Sequence, residues 1–495
     1  MTVFLLGLDG ACLEQLHALM SSIDLPHFRE VIQKGAASDL RSVYPYVTAP
    51  AWTTMLSGVN PGKHGIFDML IFNQDSAQPP NLRDCEVPFL WDYLSWANKK
   101  ILVLGVPFIF PAPVVNGVFV TGRFVPTMSC YPSRVKDNFD LSGYDYGRFL
   151  PIEPRKGDRG LLGRSMLENL KNRVKASLAL IDSGTWDASI IIDSLPDDLL
   201  HLTYNRKDLT EEMFKILDDW VGSITKRMKD KDLLIITSDH GFGEASRVLY
   251  LNEWMRSKRY IPDPEFIRAM ISKVGYRVPI YKLLKRGRSE GSIGNSKPSP
   301  HGGESGSSVK KRIAYSTTSS ADAKVVALGL SVVSWVKIQE RDETKRASLE
   351  KSVLRNLDVL KSQGYLKNIF RTGDLFHGKF ANVAPGQLLI EASEGWTVDR
   401  ETITHGKISK TLKAPIGVHK LNGLLVLYGT NDIRFPKEKP SLLEIAPTVL
   451  SCMRLPIPDQ LDGEAINVEG ENQNSGWKVF VPSGEFTPNR APDRR

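Results

Sequence analysis

Strand-like and helix-like segments alternate through the first half of this 495-residue chain. Short apolar runs such as VFLLGL, ILVLGV, ASIIID and LLIITS are typical of strands that are buried on both faces of a sheet. Helix patterns separate them, among them CLEQLHALM, LPHFREVIQKG, LLGRSMLENLKNRVKASLALID and EEMFKILDDWVGSITKRM. This alternation predicts an α/β fold with helices on both faces of the sheet.

The alternation stops near residue 255 and returns with LNGLLVLYG and the helix pattern SLLEIAPTVLSCM. We therefore predict a core in two parts, an inserted smaller lobe and a tail, with 1–255 and 401–470 for the core, 256–400 for the lobe and 471–495 for the tail. Gly, Ser and Pro dominate the lobe at about 287–308, which predicts a flexible loop. The basic segment before this loop favours a solvated helix or, alternatively, weak peripheral association with a membrane.

The net charge of +8 favours anionic partners, such as phosphate esters or acidic lipid. The basic residues are spread along the chain without a nucleic-acid-binding motif, so we expect no nucleic acid partner. The four cysteines lack C-x-x-C spacing, which indicates a reducing compartment and no Cys-rich zinc site. There is no basic leader, and no stretch approaches the roughly 18 apolar residues of a membrane span. We therefore expect a cytoplasmic protein without a transmembrane segment.

The segment TAPAWTTMLSGVNPGKHGI, at residues 48–66, predicts a short helix. Thr48 stands where the N-cap would fall, Pro50 suits the first helical position, and the helix should end near Ser57. The Thr48 hydroxyl would then lie at the positive end of the helix, where an anion is stabilised. From these residues alone, Thr48 is either a helix cap or a functional hydroxyl.

Carboxylates and imidazoles stand where sheet strands are predicted to end. They are Asp9 after the first strand, Asp197 and His201 after ASIIID, Asp239 and His240 in TSDHGFG, and His419 before LNGLLVLYG. Ligands of open α/β sheets bind outside the carboxyl ends of strands, so these side chains could converge on a metal site with nitrogen and oxygen ligands. Taken singly, each aspartate could instead be a turn residue and each histidine a structural one.

Several motifs in order resemble the alkaline phosphatase superfamily, specifically its type I phosphodiesterase/nucleotide pyrophosphatase branch and a group of predicted phosphohydrolases or phosphomutases. They are LLGLDGA, VTAPAWTTMLSGVNPGKHGIFDM, DSLPDDLLH, TSDHGFG, LYLNEW, GVHKLNGLLVLYG and LLEIAPTVL with LPIPDQLDGEAI. They span about residues 3–465. The resemblance implies an alkaline-phosphatase-like three-layer sandwich with a mainly parallel central sheet and an inserted smaller lobe.

The resemblance also implies two divalent metal ions per chain, Zn²⁺ or Mn²⁺, each held by three side chains. One set is Asp9, Asp239 and His240, and the other is Asp197, His201 and His419. Thr48 would bridge both ions as the nucleophile. His64 would support the site without binding a metal.

The activity that follows is hydrolysis of phosphate monoesters or diesters through a phospho-threonine. If an alcohol replaced water, the same site would act as a phosphotransferase or phosphomutase. A non-catalytic binding protein is a third interpretation. The expected substrate is an anionic phosphorylated small molecule, or a phosphate linked to a lipid or glycan.

The sequence departs from the motifs of related enzymes at two points, and both narrow the range of expected substrates. Sulfatases of the superfamily need a C/S-x-P-x-R context, which the sequence around Thr48 lacks. Nucleotide pyrophosphatases carry an asparagine that helps to hold a phosphate oxygen where this chain has Ala51, which argues against nucleotide diesters. The inserted lobe would then set the choice of substrate.

Overall fold

The computed structural model describes residues 1–468 except 73–76, 82–83, 146–158, 205, 263–322, 329–330, 400–405, 430–434 and 436–438. The flexible loop predicted at about 287–308, the basic segment before it and the tail at 471–495 lie outside the described residues.

Strands and helices alternate along the described chain. The strands are β1 (Val3–Leu8), β2 (Ala36–Arg41), β3 (Ile71–Phe72), β4 (Ala77–Gln78), β5 (Ile101–Val106), β6 (Gly117–Thr121), β7 (Cys130–Tyr131), β8 (Ala188–Asp193), β9 (Leu233–Thr237), β10 (Gly241–Tyr250), β11 (Val325–Leu328), β12 (Val333–Ile338), β13 (Leu366–Arg371), β14 (Leu388–Ala392), β15 (Gly395–Asp399), β16 (Ser409–Lys420) and β17 (Asn422–Tyr428). The helices are α1 (Leu13–Met20), α2 (Pro26–Lys34), α3 (Thr48–Ser57), α4 (Pro61–His64), α5 (Leu90–Trp96), α6 (Val135–Asn138), α7 (Arg159–Asp182), α8 (Leu195–Thr203), α9 (Lys207–Thr225), α10 (Leu251–Ser257), α11 (Glu343–Ser362), α12 (Thr372–Leu375) and α13 (Ile445–Cys452).

The central sheet has eight strands in the order β2-β17-β9-β1-β8-β5-β6-β7. The five strands from β9 to β6 run parallel, whereas β17 is antiparallel to both of its neighbours and β7 is antiparallel to β6. The prediction of an α/β fold with a mainly parallel sheet is confirmed. Because β9, β1 and β8 are adjacent and parallel, whatever follows these three strands meets at one edge of the sheet.

Helices cover both faces of this sheet, which makes three layers. Alternate residues of each strand point to opposite faces, so Leu6 and Leu5 of β1 belong to different cores. One core includes apolar residues of α1, α2, α7, α8 and α9, and the other includes residues of α3, α5 and α13. Among the helices that the structure describes, none has both the length and the apolar character needed to cross a bilayer.

Helix α3 begins two residues earlier than the sequence predicts, at Thr48 instead of Pro50. Val47 is the N-cap residue, its backbone is extended, and no side chain caps the helix. The carbonyl of Val47 accepts the N–H of Ala51 at 3.1 Å, so Thr48 is already the first helical residue and Pro50 the third. Pro50 fits there because N–H groups of the first turn have no acceptor inside the helix. The predicted end is confirmed: the helix stops at Ser57.

The described residues also form three smaller sheets. The strands β11-β12-β14-β13 form one, β15-β10-β16 form another, and β3 and β4 pair as the third. Tyr44 and Tyr46, which precede α3, belong to the same apolar cluster as the four-stranded sheet. The segment that leads into α3 is thus packed against strands from the second half of the chain. The boundaries of an inserted lobe at 256–400 stay a prediction.

Candidate active site

Two neighbouring strands bring the first candidate ligands together. Asp9 directly follows β1, and Asp239 and His240 follow β9, the neighbour of β1 in the sheet. All three side chains are buried. The Gly10 N–H donates to Asp239 Oδ1 at 3.3 Å, which links the two strand ends.

Asp9, Asp239 and His240 form a compact group of ligand-type atoms. His240 Nε2 lies 3.6 Å from Asp9 Oδ1 and 3.3 Å from Asp239 Oδ2. None of these three buried atoms has a hydrogen-bond partner among the described residues. Buried polar atoms without partners are rare and costly, so this arrangement needs a ligand that satisfies all three.

The second group is also brought together, but from different elements than the sequence predicts. Asp193, not Asp197, ends β8, and its carboxylate pairs with Arg173 at 2.6 Å. Asp197 and His201 lie on the following helix α8, four residues apart and therefore on one face. His419 lies on β16, opposite Phe242 of β10 and three residues before β17 begins.

Distances within the second group are as short as in the first. Asp197 Oδ1 lies 3.4 Å from His201 Nε2 and 3.4 Å from His419 Nε2. The two histidine Nε2 atoms are 2.8 Å apart. The rings of His240 and His419 stack with centroids 3.8 Å apart, so the two groups adjoin.

Burial and mutual repulsion raise the pKa values of the two carboxyl groups in the first group. Burial, followed by the negative charges of Asp239 and Asp197, raises the pKa of Asp9 well above its usual range. Burial and the charge of Asp197 raise the pKa of Asp239 to about 7. Three carboxylates without enough positive charge around them are unstable together, and a bound cation would relieve the repulsion.

The pKa values of the three imidazoles shift in different directions, although His201 and His419 both lie 3.4 Å from Asp197. Burial, with the repulsion of His419, lowers the pKa of His240 well below its usual range. Burial also lowers the pKa of His201. For His419 burial acts in the same direction, but the charges of Asp197 and Asp239, together with the hydrogen bonds to Asp197 and to the Tyr46 carbonyl, outweigh it and raise the pKa. Against the effect of burial, His201 and His419 lower the pKa of Asp197.

Both groups fit a divalent metal. Ligand atoms about 2.0–2.2 Å from one tetrahedral Zn²⁺ lie roughly 3.3–3.6 Å from each other. The carboxylate-to-imidazole distances of both groups, 3.3 to 3.6 Å, fall in that range. The Nε2 atoms of His201 and His419, 2.8 Å apart, would have to separate slightly to bind the same ion. A mixed set of carboxylates and imidazoles suits Zn²⁺ and Mn²⁺ alike.

The residues on either side of Thr48 in the sequence contact the two groups. Two residues earlier, the Tyr46 carbonyl lies 3.2 Å from His419 Nδ1. One turn later on the same face of α3, Trp52 Nε1 donates to Asp9 Oδ2 at 3.1 Å. A Cβ on Gly7 of β1 would lie 2.5 Å from the Trp52 ring, so glycine is needed there for the ring to reach Asp9. The Thr48 side chain is buried and does not cap its helix.

His64 lies outside both groups. Its Nδ1 accepts the N–H of Ile66 at 3.1 Å, so Nε2 carries the proton and donates to Thr54 Oγ1 at 2.9 Å. Burial lowers the pKa of His64 to about 3, which keeps the ring neutral. His64 therefore joins α4 to α3 by way of Thr54 on the helix that Thr48 begins.

A third cluster of ligand-type residues, His27, Asp218 and Asp219, is a helix-capping arrangement. Asp218 accepts the N–H groups of His27 at 3.3 Å and Phe28 at 2.7 Å, at the start of α2. The His27 ring lies 2.9 Å from the same carboxylate. The oxygens of Asp218 are thus already occupied, in contrast to those of the two groups above.

Arg123 is a residue of this region that the sequence did not single out. Its guanidinium pairs with Asp198, the neighbour of Asp197, and lies 4.3 Å from the centre of the Phe124 ring. Its charge also contributes to the low pKa of His201. Nothing in the sequence GRF around it distinguishes it from other arginines.

Comparison with known proteins defines the class. The murine ectonucleotide pyrophosphatase / phosphodiesterase 5 matches with a TM-score of 0.52 at 14% identity, over 92% of this chain and 96% of that one. The human protein matches with a TM-score of 0.51 at 13% identity, over 95% and 97%. The phosphonoacetate hydrolase of Sinorhizobium meliloti 1021, in complex with phosphonoformate, matches with a TM-score of 0.54 at 11% identity, over 92% and 96%. No curated protein sequence matches. The chain therefore shares the fold of these proteins.

A family model for type I phosphodiesterase / nucleotide pyrophosphatase matches residues 3–410. The chain belongs to this family of metal-dependent phosphoric ester hydrolases. The resemblance found in the sequence motifs is confirmed.

Proposed function

We propose that this chain hydrolyses phosphate monoesters or diesters at a two-metal site, through a phospho-threonine formed on Thr48. The observation that carries the proposal is the set of buried and unpaired atoms Asp9 Oδ1, Asp239 Oδ2 and His240 Nε2. Such an arrangement is costly unless a cation occupies it. Asp9, Asp239 and His240 would hold one ion, and Asp197, His201 and His419 the other.

Thr48 is the proposed nucleophile because it lies between the contacts to both groups and at the start of α3. Its hydroxyl is not used as a cap, so it is available for chemistry. The N–H groups of Thr48 and Ala49 have no acceptor inside the helix, and can donate to a phosphoryl oxygen.

The reaction then takes two displacements. Thr48 Oγ1 attacks phosphorus, the bond to the leaving oxygen breaks, and Thr48 carries the phosphoryl group. Water next attacks the same phosphorus and releases phosphate or a monoester, which restores the hydroxyl. Two divalent cations, when bound, lower the pKa of the attacking hydroxyl, hold the phosphoryl oxygens and stabilise the leaving oxygen.

The substrate is proposed to be a small phosphorylated molecule, or a phosphate carried by a lipid or glycan. The ligands of the structural neighbours support a small phosphorus-containing anion: an inactive threonine-to-alanine variant of the murine protein is in complex with AMP, and the bacterial enzyme with phosphonoformate. A nucleotide diester is not favoured, because Ala51 offers no polar group. The four cysteines, all within the described residues, form no disulfide, which supports the prediction of a reducing, cytoplasmic compartment.

The test is metal content by elemental analysis, together with release of p-nitrophenol from p-nitrophenyl phosphate and from bis-p-nitrophenyl phosphate. The proposal expects two Zn²⁺ or Mn²⁺ per chain and turnover of at least one ester, abolished by a chelator and restored by metal. A faster rate with added alcohol, and transfer of phosphate to it, would favour the phosphotransferase alternative. A folded, metal-loaded protein that hydrolyses neither ester would contradict the proposal.

A further inference from the structure

A buried carboxylate on the four-stranded sheet contacts the segment before the proposed nucleophile. Glu391 of β14 is 2% exposed and accepts the hydroxyl of Tyr44 at 3.0 Å and that of Tyr46 at 3.2 Å. On its other side it accepts Lys367 Nζ at 3.3 Å and Asn368 Nδ2 at 2.7 Å. Four donors match the acceptor capacity of a carboxylate, two on each oxygen.

Tyr46 connects this carboxylate to a candidate metal ligand. Its hydroxyl reaches Glu391, while its backbone carbonyl lies 3.2 Å from His419 Nδ1. A carbonyl only accepts, so Nδ1 of His419 carries a proton and Nε2 is the ring nitrogen that faces Asp197 Oδ1, at 3.4 Å. That is the tautomer a metal-binding His419 requires.

Packing alone does not explain the carboxylate. Tyr44 already packs on Phe370 of β13, with ring centroids 4.7 Å apart. Apolar side chains could therefore join the sheet to this segment without the cost of burying a charged group. The carboxylate instead fixes the position of the Tyr46 phenol by a hydrogen bond. This also restrains the backbone of Tyr46, whose carbonyl accepts from His419.

We propose that Glu391 is a positioning residue for the metal site, acting through Tyr46 on the orientation and tautomer of His419. This inference rests on the proposed function, because it assigns His419 to a metal. The four-stranded sheet then has a role besides any contact with substrate. Through Glu391 and Tyr46 it fixes the orientation of His419 in the group of Asp197, His201 and His419.

The test measures Zn²⁺ affinity by chelator competition, and kcat and KM on p-nitrophenyl phosphate, for the full chain. Glu391→Gln and Tyr46→Phe should each lower the affinity for one of the two Zn²⁺ ions by about tenfold. They should lower kcat while KM stays within about twofold, because the substrate is not contacted. The double variant should be no worse than the more severe single one, since both break the same link.

Lys367→Met is the matched control, because it removes a donor from the same oxygen but from the half-exposed side, away from Tyr46. It should leave both Zn²⁺ affinities unchanged. If Glu391→Gln does not fold, Tyr46→Phe, which loses a single hydroxyl, decides the question.

Two results would overturn the inference. One is wild-type Zn²⁺ affinity in a folded Tyr46→Phe protein, which leaves the proposed function standing. The other is a wild-type protein that binds neither Zn²⁺ nor Mn²⁺, in which case the proposed function fails as well.

Discussion

The indole of Trp52 donates a hydrogen bond of 3.1 Å to Asp9 Oδ2. This contact joins α3, the helix that Thr48 begins, to the end of the central strand β1. Since Asp9 Oδ1 is the oxygen that faces His240, the indole occupies the other oxygen and orients the carboxylate. Helix α3 and the group of Asp9, Asp239 and His240 are thereby held in a fixed position relative to each other.

Replacing Trp52 by phenylalanine should weaken metal binding at the first group. The ring is largely kept and the hydrogen bond to Asp9 is lost, so we expect Zn²⁺ affinity to fall by about tenfold at one of two sites. Chelator competition measures this. Trp220→Phe is the control: Trp220 is equally buried, lies on α9, and its indole N–H has no partner among the described residues. Equal Zn²⁺ affinities for the two variants would contradict the role of Trp52.

Removing His201 should empty one metal site and leave the other. Its side chain is 42% exposed, so His201→Ala should not disturb the core. Elemental analysis is expected to find two metals per wild-type chain and one in the variant. His27→Ala, in the helix-capping cluster, should keep both metals. Two metals retained in His201→Ala would remove His201 from the proposed ligand set.

The buried, neutral His64 should make the fold less stable in acid. Its pKa is about 3 in the folded protein, below the value of 6.5 for an unperturbed histidine. As the pH falls below about 6.5, the unfolded chain takes up a proton that the folded chain refuses, and the free energy of unfolding falls by up to about 1.4 kcal/mol per pH unit. This loss continues down to about pH 3.

The measurement is urea unfolding at several pH values between 7 and 4. His64→Gln should be less stable than wild type at pH 7, because its fit to Thr54 and Ile66 is imperfect, but its stability should depend less steeply on pH. His17→Gln, at an exposed position of α1, should keep the wild-type slope. An unchanged slope in His64→Gln would show that another group controls acid unfolding.

The sheet could be predicted from the sequence because its strands are continuous apolar runs, such as Val3–Leu8 and Leu233–Thr237. The candidate ligands Asp9, Asp239 and His240 could be located for the same reason, since they directly follow such runs. Local patterns of this kind are enough to locate a ligand group when, as for β1 and β9, both neighbouring strands can be recognised in the sequence.

The rest depends on contacts between distant parts of the chain. The sequence shows Asp197 and His201 four residues apart as two possible ligands. Only the fold places them on a helix beside His419 of β16, more than two hundred positions away. Trp52 and Glu391 look like ordinary core or strand residues in the sequence. Their partners, Asp9 and Tyr46, are fixed by tertiary packing, which no local pattern encodes.

The central claim is that Thr48 is the nucleophile of a two-metal hydrolase, and the most direct test compares turnover at equal metal content. Thr53→Ala is the matched control, since Thr53 lies on the same helix and its hydroxyl is bound to the carbonyl of Ala49. Thr48→Ser, which keeps a hydroxyl, should retain part of the activity.

The deciding measurement is the rate of p-nitrophenol release by Thr48→Ala loaded with two metals, relative to wild type and to Thr53→Ala. We predict that Thr48→Ala folds, binds both metals and loses at least about a thousandfold in kcat, as expected when a nucleophile is removed, whereas Thr53→Ala stays close to wild type. A folded Thr48→Ala protein that carries both metals and turns over at the wild-type rate would contradict the account.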